Sequence, residues 1–418
     1  MFRAHPWAGV CTGSFDAVYP RYAVVGYTQH AHNSYLQWAC ENGVPGLFFL
    51  VVGLVISAWL GLRATGGPER PGWPLGQQRL LAAGLAAGLA AVVTHNVFDS
   101  DIYVPANMVL VASLCALTAA LGKRRAVDTN PAGRSYPTQQ VPRWLWASLA
   151  ILGGLVLVGG GARLLMARIH LVTAGRALAE QDVIGALEAY QKAASAMPVD
   201  PEPHLMIAMI HDRLNETDAA MRALKTAVRV APSGKTHYRL GRYLLTQGKP
   251  REAALELEKA LRYDPLHLRT MLTLAEAYGA SGRGHDAEAV YLKMVALHNS
   301  PVGQVRAVPE VVDWEYGVAY AGLAERAVAE GNMAKANGLL EKAEAILGQL
   351  WATRDDLMVR IRVTPEAMRE ATARYEWVLS QRIACLRRLG LEADATRAAD
   401  RLRRFRQEYS RETGSSEP

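Results

Sequence analysis

The residues best suited to chemistry form a polar cluster, His30, His32, Asn33 and Tyr35, just before a long apolar segment. Because a histidine takes up and releases a proton near neutral pH, an imidazole at a membrane surface can act as a general base. The alternative is a histidine that only hydrogen-bonds to a neighbouring carbonyl group. If the segment from about residue 33 is helical, the spacing of three and four residues places His32, Tyr35 and Leu36 on one face.

The elements that must position this cluster are apolar helices. Four apolar segments lie within the first 165 residues, and a helix needs roughly 20 mostly apolar residues to cross a bilayer. The sequence therefore predicts spans over about residues 44–62, 80–93, 105–121 and 144–165, the second of them short. Gly43 and Gly46 predict a kink where the first span begins.

The charges of the connecting loops predict the orientation. The loops after the first and third spans are rich in Arg and Lys, whereas the loop of residues 96–104 contains Asp99 and Asp101 and no Lys or Arg. Basic loops stay in the cytoplasm. The polar cluster, the Asp99 loop and everything after the fourth span are therefore expected on the outer side, which is the periplasm for a bacterial inner membrane.

Three motifs carry a resemblance to a known family. His32 and Asn33 are followed by nine residues, Gly43, two residues and Gly46, a spacing that resembles the signature of the O-antigen ligase and polymerase superfamily. The upstream stretch from His5 to Phe15 resembles a second motif of these proteins, with Cys11 where glycine is usual, and the stretch from His95 to Asp99, followed by Pro105, resembles their next outer loop. The resemblance covers about residues 1–121, and we expect the chain to correspond to the C-terminal part of such a protein.

The resemblance implies transfer of a glycan from an undecaprenyl-diphosphate carrier to an acceptor hydroxyl, on a lipid A-core or on a protein, without a metal or a cofactor. His32 is then the base that activates the acceptor, and Gly43 and Gly46 are structural residues of the motif. The residues expected to contact substrate are Asn33, His30, Arg21, Arg3, His95 and Asp99. For the two arginines the alternative is a solvated or headgroup-facing side chain, and for Asp99 it is a carboxylate that only faces water.

The rest of the chain shows a period of about 34 residues, which is typical of tetratricopeptide repeats. The recurring set is Ala186, Tyr190, Ala193 and Pro198, then Ala220, Leu224, Ala227 and Pro232, then Ala253, Leu257, Ala260 and Pro265. The fold class is thus all-α: polytopic transmembrane helices followed by an α-solenoid of helix pairs. Because such pairs stack into a concave surface, we expect it to bind protein partners.

We predict three parts: a membrane domain over residues 1–121, a cytoplasmic linker with the fourth span over 122–166, and a periplasmic repeat domain over 167–418. The near balance of 46 basic and 39 acidic residues argues against a nucleic-acid partner. The four cysteines lack metal-binding spacing and are expected to be free, with a Cys11–Cys40 disulfide as the alternative. Two functions stay open: a glycan ligase or polymerase, and a non-catalytic membrane-tethered scaffold for polysaccharide assembly.

Overall fold

A computed structural model describes residues 1–11, 13–22, 30–65, 76–99, 105–122, 143–306 and 312–413. These residues contain helices and turns but no β-strand, in agreement with the predicted all-α class. The chain divides into two compact units, the first formed by Met1–Tyr22 and Tyr27–Gly161 and the second mainly by Ala162–Pro418. The predicted three-part division remains a prediction.

The first unit contains the polar cluster and the apolar helices. Its helices are α1 (Phe15–Val18), α2 (Ser34–Thr65), α3 (Gln77–His95), α4 (Pro105–Gly122) and the first part of α5 (Arg143–Ala179). Helix α2 packs against both α3 and α4, and Ala82, Leu89 and Val111 are buried. Two neighbouring helices therefore support α2, the segment that follows the cluster.

Helix α2 has the properties of a membrane span. Its segment Ser34–Arg63 has a mean hydropathy of 2.2, only 11% of this window is buried, and Phe48, Phe49 and Trp59 are exposed. A large exposed apolar surface is unfavourable in water, whereas it is expected on a helix that contacts lipid. Among the described residues this is the one helix both long and apolar enough to cross a bilayer.

The other predicted spans are not established as spans. The apolar parts of α3 and α4, Arg79–His95 and Asn107–Thr118, are shorter than a bilayer requires. The fourth segment falls within α5, where the side chains of residues 143–158 lie outside the described part of the chain, as do Asp101 and the basic loop of residues 123–142. A multi-pass topology therefore stays a prediction.

The second unit is a series of antiparallel helices that begins with the end of α5. The helices are α6 (Val183–Ala196), α7 (Glu202–Arg213), α8 (Thr217–Val230), α9 (Gly234–Thr246), α10 (Pro250–Tyr263), α11 (Leu268–Ala280), α12 (Gly284–His298), α13 (Pro301–Arg306), α14 (Glu315–Ala329), α15 (Met333–Ala352), α16 (Leu357–Arg362), α17 (Pro365–Arg388) and α18 (Glu392–Thr413). Neighbours along the chain are neighbours in space, as in a solenoid.

The recurring small residues allow these helices to approach one another. Ala186, Ala220 and Ala253, which occupy the same position in successive repeats, are each 0% exposed. A Cβ atom added to Gly241 would lie 2.7 Å from Leu257 Cγ, closer than ordinary contact allows. The predicted period therefore corresponds to real helix pairs.

Candidate functional site

Asn33 fixes the N-terminal end of α2. Its side-chain Oδ1 accepts a hydrogen bond from the backbone N–H of Leu36 at 2.9 Å, the usual arrangement of an N-cap residue. Its Nδ2 donates to the carbonyl oxygen of Val97 at 2.8 Å. One side chain thus caps α2 and ties it to the turn that follows α3.

Ser34 strengthens the same connection. The residue is fully buried, and its backbone N–H donates to the carbonyl oxygens of Asn96 at 3.0 Å and Asp99 at 3.1 Å. Its hydroxyl donates to Asn96 Oδ1 at 2.5 Å, and the Tyr35 hydroxyl donates to the carbonyl oxygen of Val93 at 2.9 Å. The start of α2 and the turn of residues 95–99 therefore form one hydrogen-bonded body.

His32 stands at the surface of this body. Its Nδ1 lies 3.9 Å from Asp99 Oδ1, and the two side chains are 73% and 49% exposed. The distance is too long for a direct hydrogen bond but short enough for electrostatic attraction. An exposed imidazole beside a carboxylate is an arrangement that can take a proton from a hydroxyl group.

The prediction that His32, Tyr35 and Leu36 share one helical face is wrong. The helix begins at Ser34, and His32 has a φ angle of 49°, in the left-handed region. The reason is Asn33, because an N-cap residue has non-helical backbone angles and ends the helical register there. His32 therefore belongs to the loop before α2.

Glu41 is a buried carboxylate that sequence reasoning did not include among the site residues. It is 1% exposed and accepts hydrogen bonds from the backbone N–H groups of Gly13 at 2.8 Å and Phe15 at 3.3 Å. Gln37 Nε2 also donates to it at 3.3 Å. Since a buried charge needs such partners, Glu41 holds the N-terminal segment against α2. An acidic residue inside an apolar helix was the available signal.

Gln37 links Glu41 to the loop of His30. Its Oε1 accepts a hydrogen bond from the backbone N–H of Ala31 at 3.1 Å, and its Nε2 lies 3.5 Å from His30 Nδ1. Gln37 is itself only 2% exposed. The buried side-chain amide of Gln37 therefore holds the loop that contains His30 and His32.

Gly43 interrupts α2 where the kink was predicted. Its φ and ψ angles of 67° and −169° are not helical, and Val44 N–H donates to the carbonyl oxygen of Pro6 at 2.7 Å. A Cβ atom at Gly43 would lie 2.3 Å from the carbonyl oxygen of Trp7, and one at Gly9 would lie 2.1 Å from that of Glu41. The two backbone segments therefore approach so closely that only glycine fits at both positions.

The other three residues predicted to contact substrate lie at exposed positions. Arg3 is in the 3-10 turn Phe2–Ala4, Arg21 is in the 3-10 turn Tyr19–Arg21, and His95 is the last residue of α3. The carbonyl oxygen of His95 accepts hydrogen bonds from Phe98 N–H at 3.0 Å and Asp99 N–H at 3.1 Å, so its backbone shapes the turn. Substrate contact by these three side chains stays a prediction.

All four cysteines are free thiols, with Cys11 exposed and Cys385 buried. Within the described ranges no group of three or more His, Cys, Asp or Glu side chains is placed to hold a metal ion.

Two parts of the chain match known protein families. Residues 1–51 match the family described as O-antigen ligase, a stretch that contains His32, Asn33, Gly43 and Gly46. The chain thus joins a segment similar to O-antigen ligases to a series of tetratricopeptide-like repeats. The repeats are matched by two tetratricopeptide repeat families, over residues 201–233 and 244–306.

Several solved structures are similar to part of this chain. A MamA protein from Desulfovibrio magneticus RS-1 is 18% identical, with a TM-score of 0.35, covering 43% of this chain and 94% of its own. PilW, a widely conserved type IV pilus biogenesis factor, is 19% identical with a TM-score of 0.37, covering 56% and 91%. YrrB, a TPR protein with an unusual peptide-binding site, is 17% identical with a TM-score of 0.33, covering 46% and 87%. No curated protein matches the chain.

Proposed function

We propose that the N-terminal unit belongs to a membrane glycan ligase or polymerase that transfers an undecaprenyl-diphosphate-linked glycan to an acceptor hydroxyl. The observation that carries the proposal is the placement of His32. It is exposed beside Asp99, on a loop fixed by Asn33 and Ser34 at the entry of an apolar helix. A lipid-linked donor and an aqueous acceptor meet at such a boundary.

In the proposed reaction His32 removes the proton of the acceptor hydroxyl. The acceptor oxygen forms a bond to the anomeric carbon of the glycan as the bond from that carbon to the diphosphate oxygen breaks. The bonding electrons leave with undecaprenyl diphosphate, and the proton stays on the imidazole. Asp99, 3.9 Å from Nδ1, stabilises the positive charge that the imidazole gains.

The leaving diphosphate gains negative charge and needs a cation or a set of hydrogen-bond donors. Arg3 and Arg21 are exposed in the N-terminal segment, which Glu41 and Gly43 hold against α2. We assign them, with His95, His30 and Asn33, to substrate binding. The acceptor is a lipid A-core hydroxyl or a protein hydroxyl, and no step requires a cofactor.

The test is substitution of His32 in the full chain. H32A and H32Q should lower the rate of glycan transfer from an undecaprenyl-diphosphate donor by about 10²- to 10⁴-fold, the usual contribution of a general base. H285A is the matched control, because His285 is an exposed histidine of the repeat unit. Unchanged transfer by H32A, at equal protein levels, would favour the non-catalytic scaffold.

The proposed location is the bacterial inner membrane, with the site and the repeat unit in the periplasm. Alkaline phosphatase is active only in the periplasm, so a fusion after Arg168 should be active and one after Arg125 inactive. The opposite pair of results would reverse the orientation and place His32 in the cytoplasm. In the proposed orientation, the repeat unit recruits the acceptor or partner enzymes on the outer side of the membrane.

A further inference from the structure

The first half of α17 is connected by ion pairs to helices far earlier in the chain. Glu366 pairs with Arg242 of α9, 124 residues away. Glu370 pairs with Arg269 of α11 at 2.7 Å, and Arg374 pairs with Glu325 of α14 at 2.8 Å. Three successive turns of α17 therefore contact three different helices of the repeat unit through charged side chains.

These charged residues occupy one stripe of α17. Positions 366, 370 and 374 are spaced by four and so lie above one another on a helix. The neighbouring stripe contains Ala371 and Val378, which are buried in the core at 2% and 0% exposure. The apolar stripe packs α17 against its neighbours α15 and α18. The charged stripe forms the ion pairs with α9, α11 and α14.

The two arginines are well suited to binding carboxylates. Arg269 is 19% exposed, its guanidinium lies 4.7 Å from the ring centre of Trp314, and its Nη1 is buried without a hydrogen-bond partner among the described residues. The bond from Arg242 lowers the pKa of Glu366, so that carboxyl group is ionised over a wide pH range. Guanidinium groups bind carboxylates through paired N–H donors, and Arg269 has one such donor left.

We propose that Arg242 and Arg269 form a docking surface for an acidic helix of a partner protein, and that α17 occupies this surface until the partner displaces it. The partner chemistry follows from the internal occupant, which presents two carboxylates one helical turn apart. The inference rests on the docking role proposed above and not on glycan transfer.

Displacement is feasible because the glutamate of each internal pair is exposed. The Glu366 and Glu370 side chains are 58% and 39% exposed, and an exposed ion pair contributes only about 0.2–1 kcal/mol. Because Ala367 and Ala371 of the first half of α17 are also buried, a competing partner helix must bring apolar contacts as well as carboxylates. The second half, with Val378 and Leu379 in the core, keeps α17 attached.

The test uses the purified full chain in detergent and a fluorescent peptide with the sequence of residues 364–377. E366Q/E370Q removes the internal carboxylates and should bind this peptide about tenfold more tightly than the unmodified chain, the combined effect of two exposed ion pairs. Adding R242Q/R269Q to that variant should abolish the gain. A peptide with Gln at positions 366 and 370 should not show this gain.

The matched control is R251Q/R262Q in the E366Q/E370Q background, because both arginines are exposed on α10. It removes the same charge and should keep the tight binding. Equal affinity of the unmodified chain and E366Q/E370Q, or retained binding in R242Q/R269Q, would overturn the proposal. Displacement of the peptide by polygalacturonate, but not by unlabelled peptide, would overturn it in favour of an acidic glycan. Since no glycan donor is present, these results are independent of His32.

Discussion

The hydroxyl of Ser34 donates a hydrogen bond of 2.5 Å to Asn96 Oδ1, and this bond joins residues 62 positions apart. Both side chains are buried, at 0% and 3% exposure. The bond fixes the start of α2 to the turn that contains Asp99, and so it determines how far Asp99 lies from His32. Its removal is therefore the most direct test of the architecture of the site.

Replacing Ser34 by alanine should destabilise the first unit by about 0.5–1.5 kcal/mol, because the buried hydrogen bond from its hydroxyl to Asn96 Oδ1 would be lost. Glycan transfer should fall as well, since Asp99 would no longer be held beside His32. Thermal unfolding in detergent measures the first effect and a transfer assay the second. S113A is the control, because Ser113 is exposed on α4 and its hydroxyl donates only to Val109 of its own helix. A similar loss in both variants would contradict the assigned role.

Replacing Gly43 by alanine should separate the N-terminal segment from α2. The added Cβ would lie 2.3 Å from the Trp7 carbonyl oxygen, and a φ of 67° is strained for alanine, at a cost of about 1 kcal/mol or more. We expect faster proteolysis of residues 1–22 in G43A. Gly53 lies in the same helix with no atom within 4 Å of its added Cβ, so G53A should behave like the unmodified chain. Equal proteolysis of the two variants would exclude the proposed close contact.

Replacing Glu41 by glutamine should weaken the same contact for a different reason. The carboxylate accepts from Gly13, Phe15 and Gln37, whereas an amide has one acceptor oxygen and brings an NH₂ group toward donors. We expect the free energy of unfolding of the first unit to fall by about 1–3 kcal/mol. E180Q, at an exposed position directly after α5, is the control and should change little. Unfolding at the same temperature for both would show that the carboxylate is dispensable.

The stability of the repeat unit should depend on pH through Glu315. Burial of this carboxyl group raises its pKa from 4.5 to about 7, and nearby Asp313 and Glu370 act in the same direction. Between these values the unfolded chain has released the proton and the folded chain still holds it, so stability falls as the pH rises from 4.5 to 7 and is constant above. The total effect is roughly 3 kcal/mol, since one unit corresponds to about 1.4 kcal/mol.

The check is E315Q, which removes the titrating group. Thermal unfolding between pH 5 and 8 should then lose this pH dependence, and the variant should be more stable than the unmodified chain at pH 8. E252Q, an exposed position on α10, should keep the original dependence. An unchanged slope in E315Q would assign the dependence to another group.

The helices themselves were largely predictable. The apolar segments and the recurrence of alanine and proline are local patterns, and each is matched by a helix or helix pair. The kink at Gly43 also followed from its neighbours in sequence. The start of α2 was not predicted, because the Asn33 side chain accepts a hydrogen bond from Leu36 N–H and caps the helix there. His32 therefore lies in the loop before α2, outside the expected helical face.

The sequence by itself determined the all-helical class and the apolar helix after the polar cluster, since each depends on residues within one or two turns of one another. It also determined the repeat period, because the same local pattern recurs along the chain. Only the tertiary structure decided that Asp99 lies beside His32, that Glu41 binds the N-terminal segment and that α17 pairs with α9 and α11. The physical reason is that these hydrogen bonds and ion pairs join residues 28 to 124 positions apart, whose meeting is set by how the helices pack.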